Sequence, residues 1–312
     1  MVKLSDLKFV KADMPFPVAA LELLTEQTGI IRKLYRKLYR GYTEELLHDT
    51  RVNLRRLQAL LSEFRKYLIE KKEQQIIIER HLRIIRNMIN LLSKTRTYEV
   101  SSNIINDYAG SIPQSLSLNI LAGEVRVQKV KSLDKMYKSV LFNTYGNEIK
   151  NLCKLLDSDI RKNIPEEIKS ISFSSIYHDI IVKEFEKSIS SADVVFFPSD
   201  MTEQIHKYRI ALKSLRYLTE IGEGHFGDDF DRIKDEIRNL VELLGTFNDY
   251  NTVLGLSEKL IQEESLKNTA YFDFMFYLRQ NMLAIYDEVF VSLKLLKSEN
   301  PKLIFKNNKI VQ

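Results

Sequence analysis

Two histidines, His48 and His206, each open a run in which a basic residue returns every three or four positions. After His48 come Arg51 and Arg55, with Arg56 alongside; after His206 come Arg209, Lys213 and Arg216. At ~100° per residue on a helix, His48, Arg51 and Arg55 fall within a strip roughly 60° wide. The apolar residues of the same segment, Leu47, Leu54, Leu57, Leu61 and Phe64, gather on the other side. Guanidinium and ammonium groups repeating every turn suit successive phosphates, as bidentate forks and as point charges. A histidine adds a donor and, when protonated, a further charge. Arg32, Arg36 and Arg40 recur at i, i+4 and i+8 on the preceding segment and are expected to face the same strip.

A basic run is ordinarily a solvated helix face. Here three features favour a binding surface: the runs are read as free of the i+4 acids that lace an exposed helix, the pattern occurs twice, and a histidine opens it each time. Charge is distributed accordingly. The chain's net charge is only +5, but residues 31–66 hold ten Lys/Arg against four acids and residues 205–217 hold four against none. Two basic fields on a slightly acidic body point to an anionic partner.

The strips need helices to carry them, and the composition supplies these. Among 312 residues there are 10 glycines and 6 prolines, few helix breakers for that length. Helices are predicted at about 18–41, 43–72, 73–92 and 97–108, through 121–162, and then near 173–191, 200–222, 231–244 and 266–297. The Ser-rich stretch 109–119 is the best linker candidate, 222–230 reads as a loop, and VVFF at 194–197 is ambiguous. In the second helix Leu47, Leu54, Leu57, Leu61, Phe64 and Leu68 make a packing seam of bundle type. One cysteine, Cys153, supports neither an intramolecular disulfide nor a thiolate zinc site. No segment has the apolar length of a signal peptide core or a membrane span, so the expectation is a cytoplasmic protein.

The two strips belong to a repeat. At a constant offset of 158, His48 meets His206, Arg51 meets Arg209, Val52 meets Ile210, Leu54 meets Leu212, Arg55 meets Lys213 and Leu57 meets Leu215. Downstream, LLSKTRTYEV (91–100) aligns with LLGTFNDYNT (243–252). The expected fold is all-α, with two repeated, related half-bundles about a pseudo-twofold. Two strips facing across that axis would form a basic central pore. The chain is read as one domain over 1–312: repeat 1 at about 18–108, connecting helices at 109–165, repeat 2 at 173–297 and a tail at 298–312. His81, His178 and His225 lack basic company and read as surface or structural residues. Tyr208 and Tyr217 read as packing aromatics, and Asn248 and Asp249 as capping or network residues near a helix end.

At these positions the sequence resembles the CHAD family, the conserved histidine α-helical domain. The first-half motif is matched by His48, Arg51, Val52, Arg55, Arg56 and Leu57; the second-half motif by His206, Arg209, Lys213, Leu215, Arg216 and Tyr217. LLGTFND (243–249) fits the element that follows, whereas in LLSKTRTYE (91–99) Ser93 and Thr97 depart from the pattern and only Arg96 carries over. The resemblance covers roughly 20–300. It implies two four-helix bundles around a basic pore that binds inorganic polyphosphate. No nucleophile–base pair, Gly-rich phosphate loop or carboxylate pair stands out in the sequence, so a non-enzymatic protein without a cofactor is expected. The contacts expected are the matched His48, Arg51, Arg55, Arg56, His206, Arg209, Lys213 and Arg216, with Arg96 secondary and Arg36 and Arg40 added as secondary candidates by their helical spacing. Polyphosphate granules or a polyphosphate-handling enzyme are the implied wider partners.

Two rivals come from the residues themselves. Glu45 with His48 and Glu203 with His206 are each Glu-x-x-His, half of a di-metal carboxylate site in a helical bundle; cationic neighbours on the same face argue against it. A nucleic-acid backbone is the other anion, but the strips lack the exposed aromatics that stack single-stranded bases.

Overall fold

The computed structural model describes residues 11–112, 115–192, 201–222 and 227–299, without the side chains of 201–204 and 207. Nine α-helices are described: α1 (Phe16–Arg40), α2 (Glu44–Leu68), α3 (Lys72–Gly110), α4 (Leu116–Lys138), α5 (Val140–Lys154), α6 (Phe173–Ser191), α7 (Met201–Thr219), α8 (Asp228–Leu260) and α9 (Thr269–Ser298). A six-residue π-helical stretch, Leu155–Ile160, extends α5. No β-strand occurs among the described residues.

Local chemistry fixes the helix starts. Thr43, Ser115, Ser172 and Asn268 each accept a backbone N–H of the first turn of α2, α4, α6 and α9. Gly227 takes φ 85° ahead of α8, in the left-handed region that glycine tolerates without strain. The segments preceding α1 and α6 are tied to each other by a bridge, with Phe16 N–H donating to Ile171 O at 2.8 Å and Phe173 N–H to Met14 O at 2.7 Å. Phe16 and Phe173 then stack at 6.1 Å.

The α2 seam is buried throughout, from Leu47 to Leu68. Three sequence expectations change. The pieces predicted at 73–92 and 97–108 are one 39-residue helix, because the polar run between them, KTRT, still places Thr95 in the interior. Helix α8 passes Leu244 and continues to Leu260, so Gly245 is a mid-helix residue, not a stop. Much of the proposed linker is helical, since 109–110 close α3 and 116–119 open α4, and these two helices pack together. The VVFF run lies outside the described residues.

Consecutive helices pack on each other in two runs, α1 to α4 and α6 to α9, and counterparts meet across them: α1 with α6, α2 with α7, α3 with α8 and α4 with α9. The apolar interior does not divide the same way. The larger core runs through α1, α2, α5, α6 and α7 and includes α3 as far as Leu92 and α8 as far as Phe247. A smaller one takes Ile105, Leu118, Leu121, Val253, Phe274 and Leu278 from α3, α4, α8 and α9. Between the two cores, α3 turns polar, with Thr95, Glu99 and Ser101 buried, and α8 presents Asn248 and Asp249 at the same level.

Candidate functional site

The two basic strips come together at that polar level. Helices α2 and α7 pack side by side, and α3 and α8 pack behind them. His48, Arg51 and Arg55 on α2, Arg209 and Lys213 on α7, and Arg96 on α3 are all half-buried. Their apolar neighbours Leu47, Leu54, Leu57, Leu212 and Leu215 are buried in the larger core, so each strip is aimed by the seam on its opposite side.

Like charges crowd here, and the titration behaviour records it. Burial, then Arg209, Arg55 and Arg51, pull the Lys213 ammonium down to about 6. Burial, then Arg55 and Arg96, pull Arg51 down to about 10, where it is still charged at neutral pH. Arg209 is lowered by burial and by Arg55. His48 is lowered by burial, Arg96 and Arg51. The one carboxylate whose field opposes these shifts from α8 is Asp249, itself raised by burial although Arg209, Lys213 and Arg96 favour its charged form.

Hydrogen bonding inside the cluster is sparse. Arg51 Nε donates to Ser93 Oγ at 3.2 Å. His206, exposed at the rim, pairs Nδ1 with Asn248 Oδ1 at 3.2 Å. Arg209 Nε and His48 Nδ1 are buried without a partner. Arg96 reaches Glu99 at 3.2 Å; Glu99 is fully enclosed, and burial pushes its carboxyl up to about 7 against the pull of Lys129. Donors left without partners beside cations short of counter-charge are an arrangement that can accept an anion.

Two expected contacts serve otherwise. Arg56 is only 3% exposed and ion-pairs with Glu220 at 2.9 Å. Arg216 donates to the other oxygen of Glu220 at 3.1 Å and approaches Glu242 at 3.9 Å. Glu220 is the i+4 acid that the sequence reading overlooked, and it makes Arg56 and Arg216 a structural clamp between α2 and the end of α7. Arg32, Arg36 and Arg40 are exposed on α1, and none contributes to the shifts at His48, Arg51, Arg209 or Lys213. They do not join the cluster.

Asn248 and Asp249 are not near a helix end, where the sequence suggests them. They sit inside α8, far from either end, and furnish the α8 wall of the site. Their signal lay in the repeat, where they align with Arg96 and Thr97. His81 is buried and His178 lies beside Asp179 at 3.4 Å, as structural residues do; His225 lies outside the described residues. Tyr208 and Tyr217 are buried packing aromatics. Of the metal rival, Glu45 is exposed and the Glu203 side chain lies outside the described set. Among the described residues no three His, Cys, Asp or Glu gather as metal ligands. No described helix is long and apolar enough to cross a membrane.

An all-helical bundle with a polar, cationic level between two cores is the class this molecule defines. The CHAD-domain model matches residues 22–256, and the chain belongs to the CHAD-domain family. Two solved structures share the fold. The CHAD domain from the plant Ricinus communis is 21% identical, with TM-score 0.61, covering 91% of this chain and 93% of that one. PptA from Streptomyces chartreusis is 12% identical, with TM-score 0.64, covering 91% of this chain and all of that one. No curated protein matches the sequence.

Proposed function

We propose that this protein binds inorganic polyphosphate, without transforming it, in the space between α2, α7, α3 and α8. One observation carries the reading: Arg51, Arg55, Arg209 and Lys213, with Arg96 beside them on Glu99, share a half-buried space that Asp249 faces from α8. Such crowding costs free energy in the free protein, and a chain of phosphates relieves it at several positions at once. The counterpart packing of α1–α4 on α6–α9 supports two repeats about a pseudo-twofold, with the two strips as opposite walls of a basic pore. His206 at the rim and His48 within add donors. Among the described residues no nucleophile–base pair is found at this level, which favours holding over chemistry. Association with polyphosphate granules or with a polyphosphate-handling enzyme would follow from the binding.

Calorimetric titration with long-chain polyphosphate at two salt concentrations tests this. Tight binding that weakens steeply with salt and survives competition by orthophosphate and by duplex DNA is expected. Absence of binding, or equal displacement by the duplex, overturns the assignment.

A further inference from the structure

Helix α9 buries one side, through Tyr271, Phe274, Leu278, Val289 and Leu293, and presents another to solvent. On the outward side stand Phe272 at 56%, Phe276 at 62% and Leu283 at 52% exposure, large apolar residues that a monomer has no reason to align. Arg279, Asp287 and Lys294 are exposed along the same line, with Phe290 half-buried between the last two. The spacing from Phe272 to Lys294 is 4, 3, 4 and then 4, 3, 4. Each half is an eleven-residue step of about 3.67 residues per turn, close to the helix's own period, so the line runs nearly straight for about 33 Å.

The pattern reads the same from both ends about Leu283. Turned end for end against itself, Leu283 meets Leu283 of the second copy, Arg279 meets Asp287, Phe276 meets Phe290, and Phe272 meets Lys294. A central aliphatic pair is flanked by two opposite-charge pairs, two aromatic pairs and two cation–π pairs. Lys294 already lies over the Phe290 ring at 4.3 Å within one chain. Self-complementarity of this kind is what a twofold interface demands, since residue i contacts j while j contacts i. We infer that α9 is the homodimer interface of this protein, packing antiparallel on α9 of a second copy with the twofold axis at Leu283. The inference does not depend on the polyphosphate reading. Arg279 has an intrachain partner in Glu258 at 3.5 Å; both side chains are more than half exposed, so that pair is weak and yields to Asp287. A single helix pair is small among stable interfaces, which run to about 1,200–2,000 Å², so dimerisation is expected to depend on concentration.

Sedimentation equilibrium of the full chain across a hundredfold concentration range provides the test. Mass should rise from the 36.6 kDa monomer towards twice that value. Leu283→Glu sets two carboxylates against each other on the axis and should leave monomer at every concentration. Arg279→Asp and Asp287→Arg should each be monomeric alone, yet associate when mixed, and the double exchange in one chain should restore the homodimer. All sites are exposed, and circular dichroism confirms that each variant folds. A wild-type chain that stays monomeric, a dimer indifferent to Leu283→Glu, or single exchange variants that fail to pair on mixing overturns the inference.

Discussion

Arg55 and Arg56 are neighbours on one helix and live in opposite electrostatic worlds. Arg56 is enclosed and closed off by Glu220, which also holds Arg216. Arg55 faces Arg51, Arg209 and Lys213, and its charge depresses all three. Rotating by one residue, about 100°, takes the chain from a neutralised clamp to an unneutralised cluster. The same two helices thus carry a cationic pair committed to stability and a cationic group left available. Counting basic residues along the sequence treats these alike; the position of one glutamate separates them.

The contrast is sharpest if each side is broken in turn. Reversing the cluster with Arg55→Glu and Lys213→Glu should cost polyphosphate affinity at least a hundredfold, about 2.7 kcal/mol or more. The helical signal should be kept and the melting temperature should hold or rise, as read by circular dichroism with a binding titration. Persisting affinity would place the anion elsewhere.

Cutting the clamp should do the opposite. Glu220→Gln leaves Arg56 buried beside a neutral amide and should destabilise the fold by about 3 kcal/mol in denaturant unfolding. Affinity measured well below the melting temperature should change little. A large loss of affinity with intact stability would show that Arg56 or Arg216 does meet the ligand.

Lys213→Met should give mixed signs at neutral pH, stabilising the free protein by on the order of 2 kcal/mol while weakening polyphosphate binding. Lys213 is held near 6 in the fold and returns to an ordinary lysine value near 10.5 when unfolded. Between those values the unfolded chain binds more protons, so this residue's contribution makes stability rise with pH from 6 to 10.5 and its penalty is full below 6. The wild-type minus Lys213→Met difference isolates it from Glu99, which titrates in the opposite sense. Phosphate should restore the proton, so binding at pH 7–8 is expected to take up protons, detectable calorimetrically in buffers of different ionisation enthalpy. An unchanged proton count in Lys213→Met would remove Lys213 from the binding event.

How much could be read beforehand follows from range. The seam on α2, the strips at His48 and His206 and the all-helical class depend on spacing within single helices, and spacing is written in the chain. The Arg56–Glu220 pair spans 164 positions and leaves no mark within any one window. Likewise α8 runs on past Gly245 and the expected end at Leu244, because a glycine inside a helix costs only ~1 kcal/mol and packing on α3, α7 and α9 outweighs it. Arg36 and Arg40 recur at helical spacing just as the true cluster does. Their helix turns them to solvent, which only its contacts with α2, α5 and α6 decide. Asp249 was hidden for the same reason as Arg56, since its partners lie on other helices.

The packing of α2 against α7 also sets an order of events. At a synthesis rate of about 5–20 residues per second, the second strip follows the first by some 8–30 seconds, given the offset of 158 residues. Throughout that interval α2 has no opposite wall, and for most of it the bridge between Pro15 and Ser172 has no second half to close on. Most helical proteins assemble from neighbours in the chain and do so quickly; this one must postpone its central contacts until distant helices exist. Docking α7 on α2 brings like charges together, so assembly is expected to be slower at low ionic strength and faster wherever a polyanion or salt shields them.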